Sequence, residues 1–282
     1  MLTDSGKKII DCIVYTKDRT CQLDLLMRSV RDMFESVGRV FILYTYSNDE
    51  YRLGFEKFFR NLRKYNLDIV GVLQDNFEQD VNKIIRAMST DCFLGLCDDD
   101  VFITKTDCSD IIKKLSHPDV SAISLKAGLN ILGNYPDIVT EFPDFIEKDP
   151  YLKWEWRKSR PDVDWGYPTC VNSYIFMRDY FLYLIRDFHF HCPPYLEMGL
   201  NLNRAKFRKY MMSFRQSKML NIPVNRMQSL SPNAFSTKYF YEISDLNKRF
   251  LDGHVISTKN MYDISIMMGN EEREFVYENE QL

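Results

Sequence analysis

What this chain lacks already narrows what it does. No stretch of its 282 residues approaches the ~18 consecutive apolar residues of a membrane-spanning helix. No signal-peptide pattern opens the sequence. No basic excess exists either. The 37 Lys and Arg stand against 40 Asp and Glu, for a formal charge of -3 and a pI near 5.9, so no general nucleic-acid surface is expected. The seven cysteines include no Cys-x-x-Cys pair. Several sit in apolar runs where a free thiol packs as a small hydrophobe, and an intracellular, reducing compartment is expected. No glycine follows the first apolar run. Thr16-Lys17-Asp18-Arg19-Thr20 is therefore neither a dinucleotide fingerprint nor a P-loop, and a dinucleotide cofactor is not expected. Internal repeats and low-complexity segments are missing as well.

What is present centres on Cys92 to Ile103, where six apolar or small residues run into Asp98-Asp99-Asp100 before the apolar run resumes. Such a run reads as a strand buried on both faces. Three adjacent carboxylates repel one another, so a cation is the natural way to neutralise them. Hard oxygen ligands favour Mg²⁺ or Mn²⁺ over zinc. The competing reading is a solvated acidic turn, which the position hard against a buried strand disfavours.

Apolar runs at Ile9 to Tyr15, Val40 to Thr45, Ile69 to Leu73, Cys92 to Cys97 and Val120 to Leu125 predict strands. Helical stripes lie between them, such as Leu23, Leu26, Met27, Val30 and Met33. The alternation predicts an α/β fold with a mostly parallel sheet and every strand-to-helix loop on one edge, where ligands bind. Thr16, Lys17, Arg19, Asp75 and the Asp98 to Asp100 triplet all fall on that edge. A basic loop and an acidic triplet facing one cleft suit a phosphate–metal ligand. Arg19 either reaches a nucleotide or simply pairs with Asp18.

Residues 126 to 168 differ, with five of the ten prolines and all three tryptophans. A long irregular aromatic segment of this kind is a candidate sugar-binding surface, or else a covering loop whose tryptophans are core. Further on, Val171 to Met177 predicts a strand. Phe188-His189-Phe190-His191-Cys192 predicts a half-buried strand rather than a zinc site. Pro193 to Glu197 predicts a helix start. Tyr239, Ile243, Leu246 and Phe250 predict a last helix closed by Gly253. The acidic end, Glu271 to Leu282, is expected to fray.

Together these features resemble the GT-A glycosyltransferases, with Asp98-Asp99-Asp100 standing where that family keeps its Asp-x-Asp motif. The run from Lys17 to Leu26, then Asp164-Trp165-Gly166-Tyr167-Pro168, Pro194 to Glu197, Asn221 to Arg226 and Phe250 to Gly253 are similar, in order, to small glycosyltransferases of large algal DNA viruses and their bacterial relatives. Where many of those have an acidic residue, Gly and His, this chain has Asn172-Ser173-Tyr174. His254 stands where most have an aromatic residue.

The resemblance implies one GT-A domain, with 1–125 as the nucleotide-sugar half and 126–282 as the acceptor half. It implies transfer of a sugar from a nucleoside diphosphate, expected to be UDP, to a hydroxyl of a glycan acceptor, with inversion. Mn²⁺ (or Mg²⁺) is the implied cofactor, with Asp98, Asp100 and His254 as candidate ligands. Thr16, Lys17, Arg19, Asp75, Asp98 and Asp99 are candidates for the nucleotide. Glu197 and Asp164 compete as the base, and Trp165 and Tyr167 as sugar-binding rings. No nucleic-acid partner is implied, and the expected location is cytoplasmic, in the host if the source is viral. A nucleotidyltransferase making sugar nucleotides and a non-catalytic carbohydrate-binding protein are the rival readings.

Overall fold

The computed structural model describes residues 9–134, 138–227 and 237–280. The first part alternates strand and helix as the periodicity predicts: β1 (Ile10–Lys17), α1 (Thr20–Met33), β2 (Val37–Thr45), α2 (Asp49–Arg60), β3 (Ile69–Leu73), α3 (Phe77–Ala87) and β4 (Cys92–Cys97). There follow β5 (Asp100–Phe102), α4 (Ile111–Leu115), β6 (Val120–Ser124), β7 (Gly133–Asn134), β8 (Ile138–Val139), β9 (Phe145–Glu147) and β10 (Tyr151–Glu155). The last part holds β11 (Tyr174–Met177), α5 (Arg178–Ile185), α6 (Pro193–Leu202), β12 (Tyr210–Phe214), β13 (Met219–Asn221), α7 (Ile243–Leu251), β14 (His254–Ile256) and β15 (Tyr277–Asn279).

Local chemistry sets several helix ends. The side chains of Asn48 and Asn76 accept from Tyr51 N–H and Gln79 N–H, which caps α2 and α3. Gly253 follows α7 at φ 89°, a left-handed position that a side chain would resist.

Among the described residues the central sheet has nine strands in the order β3-β2-β1-β4-β11-β6-β12-β10-β9. Only β11 and β10 run against the others. Both faces are covered. Cys12 and Val14 of β1 pack with α1, while Ile13 and Tyr15 pack with α3 on the other side. That is why these strands read as unbroken apolar runs. Helix α1 is buried nearly all round, because α2, α7 and β14 pack over it. Its charges are paired: Asp24 meets Arg28 at 2.8 Å and Lys64 at 2.7 Å, and the Tyr65 hydroxyl donates to it at 2.6 Å.

Three expectations need correction. The 126–168 segment is not simply irregular, since β10 and β9 extend the sheet at its far edge. Phe188 to Cys192 is a turn between α5 and α6 rather than a strand, with Phe190 buried against Phe77 at 5.9 Å. The acidic end does not fray as far as it is described. Strand β15 pairs with β14, and Glu280 meets Lys57 at 2.9 Å and Lys64 at 2.6 Å. Residues 281–282 lie outside the described residues.

Candidate active site

Strand order decides which loops meet. The carboxyl ends of β1, β4 and β6 and the start of the reversed β11 lie together on one edge of the sheet. The turn after β1 is shaped by Asp18 at φ 61°, whose carboxylate accepts from Ser47 N–H and Oγ–H at 2.7 and 2.6 Å. Asp18 is thus engaged by the β2 loop, and Arg19 does not pair with it. Arg19 instead lies buried against the triplet. Its Nη1 donates to Asp98 Oδ1 at 2.9 Å and to Asp99 Oδ2 at 3.1 Å, and its Nη2 to the Asn225 carbonyl at 2.7 Å.

Asp100 is buried and accepts at both oxygens. Cys97 N–H reaches Oδ2 at 2.9 Å, and the amides of Asn172 and Asn221 both reach Oδ1 at 3.0 Å. Asn221 also donates to Asp99 at 2.7 Å. Burial pushes Asp98 up to about 6, with Arg19 opposing and Asp99 adding to the rise. Burial likewise pushes Asp100 up to about 6, against the pull of Lys126. Arg19 is held above its usual range, because Asp98 and Asp99 outweigh the cost of its own burial. The cluster is short of positive charge.

A second group lies beside the first. Asn172, bonded to Asp100 on one side, meets the Lys126 ammonium on the other at 3.5 Å, and Cys170 Sγ lies 3.8 Å from that ammonium. Asp164 and Glu197 are half-buried nearby, and burial raises both above the ordinary carboxylate range. Glu197 is engaged: its Oε1 accepts Val171 N–H at 2.9 Å, with Cys170 and Tyr167 adjacent. The Asp164 carboxylate accepts no hydrogen bond from the described residues, and the charge that acts on it is Lys126.

Other expected site residues stand elsewhere. Trp165 is 1 % exposed, stacked edge-on against Trp154 at 4.9 Å, with the Trp154 indole donating to its carbonyl. It is a core residue, and the expectation that its ring meets a sugar is corrected. Tyr167 is half-buried beside Glu197. Thr16 is buried next to Asp98, while Lys17 is exposed at the end of β1. Asp75 is exposed on the loop after the edge strand β3, its N–H held by Asp80, two strands away from β1. His254 is exposed on β14, which pairs with β15 and packs against α1 and α7. It does not join the triplet. No group of three or more His, Cys, Asp or Glu suited to a metal occurs among the described residues.

Sequence reasoning missed Lys126, Asn172, Asn221, Asn225 and Gln22. Lys126 had a signal, being the first charged residue after the apolar run of β6. Gln22 Nε2 donates to Asn225 Oδ1 at 3.2 Å, while Gln22 Oε1 and Arg19 Nε are buried without partners among the described residues.

No protein-family model and no curated protein matches the chain. Solved structures do. One is GalNAc-T7 with UDP, GalNAc and Mn²⁺, at 8% identity and a TM-score of 0.51, covering 88% of this chain and 48% of that one. Another is S. aureus TarS 1-349, at 12% identity and 0.48, covering 73% and 58%. A third is the mannosyltransferase PcManGT from Pyrobaculum calidifontis in complex with GDP-Man and Mn²⁺, at 11% and 0.44, covering 74% and 54%. The chain thus spans about half the length of these three proteins. At such identities the likeness is one of fold, and no helix among the described residues is long and apolar enough to cross a membrane. With its large, mostly parallel sheet covered on both faces, the chain has the fold of the GT-A glycosyltransferases.

Proposed function

We propose that the protein is a glycosyltransferase that moves a sugar from a nucleoside diphosphate, UDP, to a hydroxyl of a glycan acceptor with inversion. One observation carries this reading. On the ligand-binding edge of a GT-A sheet, Arg19 and three carboxylates stand one asparagine away from Lys126, Asp164 and Glu197. Residues 1–125 would supply the nucleotide side and 126–282 the acceptor side. The buried acceptor left open on Gln22 and donor left open on Arg19 complement the N–H and carbonyl edge of uracil, a face that guanine shares.

The triplet fits a divalent cation. It is a hard-oxygen set with too little positive charge, two of its members being pushed up to about 6. Mg²⁺ in nucleotide sites usually takes one or two carboxylates and completes its shell with phosphate and water. With no larger ligand cluster among the described residues, phosphate and water would have to complete the shell here. Asp100 would hold Mn²⁺ or Mg²⁺ and Asp98 would reach the ribose. When bound, the ion neutralises charge on the departing diphosphate.

The chain's own residues do the rest. An inverting displacement needs a carboxylate to take the acceptor hydroxyl proton as that oxygen bonds to C1. The C1–oxygen bond to the diphosphate breaks, and the electron pair leaves with UDP. Asp164 suits the base, because no protein donor occupies it. Glu197 suits the brace for residues 167 to 171, because Val171 N–H does occupy it. Calorimetric titration of UDP with Mn²⁺, then with excess chelator, tests the reading. Tight binding with Mn²⁺ and weaker binding with chelator is expected. Equal affinities would remove the cation, and no binding of UDP or GDP would remove the function.

A further inference from the structure

Among the described residues, Lys126 is a buried charge with few partners. It follows β6, is 7 % exposed, and carries an ammonium with three protons to donate. Its contacts are thin: 3.5 Å to Asn172 Oδ1 and 3.8 Å to Cys170 Sγ. No carboxylate of the described residues lies within ion-pair distance of it. A buried ammonium is costly unless its donors are used. Burial works against its charge here, yet Cys170, Asp164 and Asp100 more than offset that. Cys170 is itself pushed up out of range by burial and is a neutral thiol at pH 7, so the carboxylates supply the attraction.

Along the site edge the order is Asp100, Asn172, Lys126, with Asp164 beyond. Gly269 lies against this end, where a Cβ would meet Lys126 Cβ at 3.4 Å and Asp164 Oδ2 at 3.5 Å. Both are ordinary van der Waals distances, so residue 269 lines the space beside Lys126 and Asp164. If the diphosphate lies by Asp98 to Asp100 and the acceptor by Asp164, the transferred sugar falls between them, at Lys126.

We propose that Lys126 is a direct contact to the transferred sugar, donating to a ring hydroxyl, and that this sugar is uncharged. The claim rests on the reading of the site as a nucleotide-sugar site. The second half follows from charge: with Asp100 taken by the cation, one ammonium still faces both Asp164 and Glu197, so a uronate would meet net negative charge. Neutral hydroxyls accept from Lys126 without adding charge.

The test measures affinities rather than turnover. UDP, GDP, UDP-glucose, UDP-N-acetylglucosamine, GDP-mannose and UDP-glucuronate are titrated with Mn²⁺ into wild type, Lys126→Met and Lys126→Arg. Wild type should prefer at least one neutral sugar nucleotide over its bare nucleotide, and should not prefer UDP-glucuronate. In Lys126→Met that preference should fall about tenfold or more, the scale of a lost charged hydrogen bond, while bare-nucleotide affinity changes less than about twofold. Lys126→Arg keeps the charge and should retain part of the preference, which covers the case of a Met variant that folds poorly. Equal weakening of nucleotide and sugar nucleotide would make Lys126 structural and overturn the proposal. An unchanged preference, or a preference for the uronate, would also overturn it while leaving the glycosyltransferase reading intact. Failure of wild type to bind any nucleotide would take down that reading first, and the proposal with it.

Discussion

Arg19 offers the sharpest test of the cluster, because its removal has a calculable sign with pH. Its guanidinium is 8 % exposed and holds Asp98 at 2.9 Å, Asp99 at 3.1 Å and the Asn225 carbonyl at 2.7 Å. Arg19→Met keeps much of the stem and deletes the charge. Breaking a buried pair from one side costs about 3–5 kcal/mol, since the other charge stays buried. At about 2–4 °C per kcal/mol for a chain of this size, the melting point should drop by roughly 6–20 °C at pH 8. Asp98 already sits up at about 6, above its unfolded value, and loses a favourable partner in the variant, so it moves higher still. A carboxyl group raised on folding binds more protons in the folded state, so stability falls as pH rises through that window. Wild type and variant share this loss up to about pH 6, and the variant continues to lose stability above it. Urea unfolding at pH 5.5 and pH 8, without nucleotide or metal, measures both arms. The deficit should be clearly smaller at pH 5.5. A deficit equal at both values, or below about 1 kcal/mol at pH 8, would refute a buried charge cluster that depends on Arg19.

Other expectations follow from the same geometry. Asp164→Asn should lower kcat by about 10²–10⁴-fold with UDP affinity unchanged, and Glu197→Gln should lower it far less; single-turnover transfer with a confirmed donor and acceptor decides between them. Because burial raises Asp164 above the ordinary carboxylate range, wild-type kcat should fall on acidification as the base becomes protonated, and this fall should be absent from the residual activity of Asp164→Asn; the same acid limb in both would remove Asp164 as the base. Trp165→Ala should cost about 3–5 kcal/mol of stability rather than selectively raise acceptor KM, as thermal melts alongside kinetics would show. His254→Ala should leave Mn²⁺-dependent UDP affinity within twofold, since that residue is exposed on β14 and apart from the triplet.

The first half was legible because periodicity there has a simple cause. Strands buried on both faces must be apolar throughout, and helices between them must carry stripes, so β1 to β4 and α1 to α3 show in the sequence. The triplet showed for the same reason, as charge set directly against β4. The tryptophans misled because an aromatic run looks the same whether its rings face a sugar or a core. Only the alternation of Leu152 and Trp154 along β10, both buried, tells which. His254 misled because a single residue carries no information about what lies opposite it. Asn172 and Asn221 stood in runs the resemblance picked out, but their role did not show, since their work is to donate to carboxylates that are 72 and 121 positions away.

The reversal of β11 explains why the site combines residues so distant in sequence. Parallel strands deliver Arg19, the triplet and Lys126 as the chain leaves the sheet. An antiparallel strand in their midst must instead deliver the residues that precede it, so Cys170, Val171 and Asn172 arrive at the same edge as the chain enters. Ser173 N–H donates to the Gly95 carbonyl at 2.7 Å and Leu125 N–H to the Ser173 carbonyl at 2.9 Å, which locks this entry between β4 and β6. The fit is close enough to require glycine in the middle of β4: a Cβ on Gly95 would lie 2.0 Å from the Val171 carbonyl oxygen. Glycine inside a strand weakens it, and backbone approach is the usual compensation. Here the approaching carbonyl belongs to Val171, the residue whose N–H braces Glu197 and whose neighbour Asn172 bridges Asp100 to Lys126. A buried glycine and a reversed strand thus set how closely the two charged groups of the site approach.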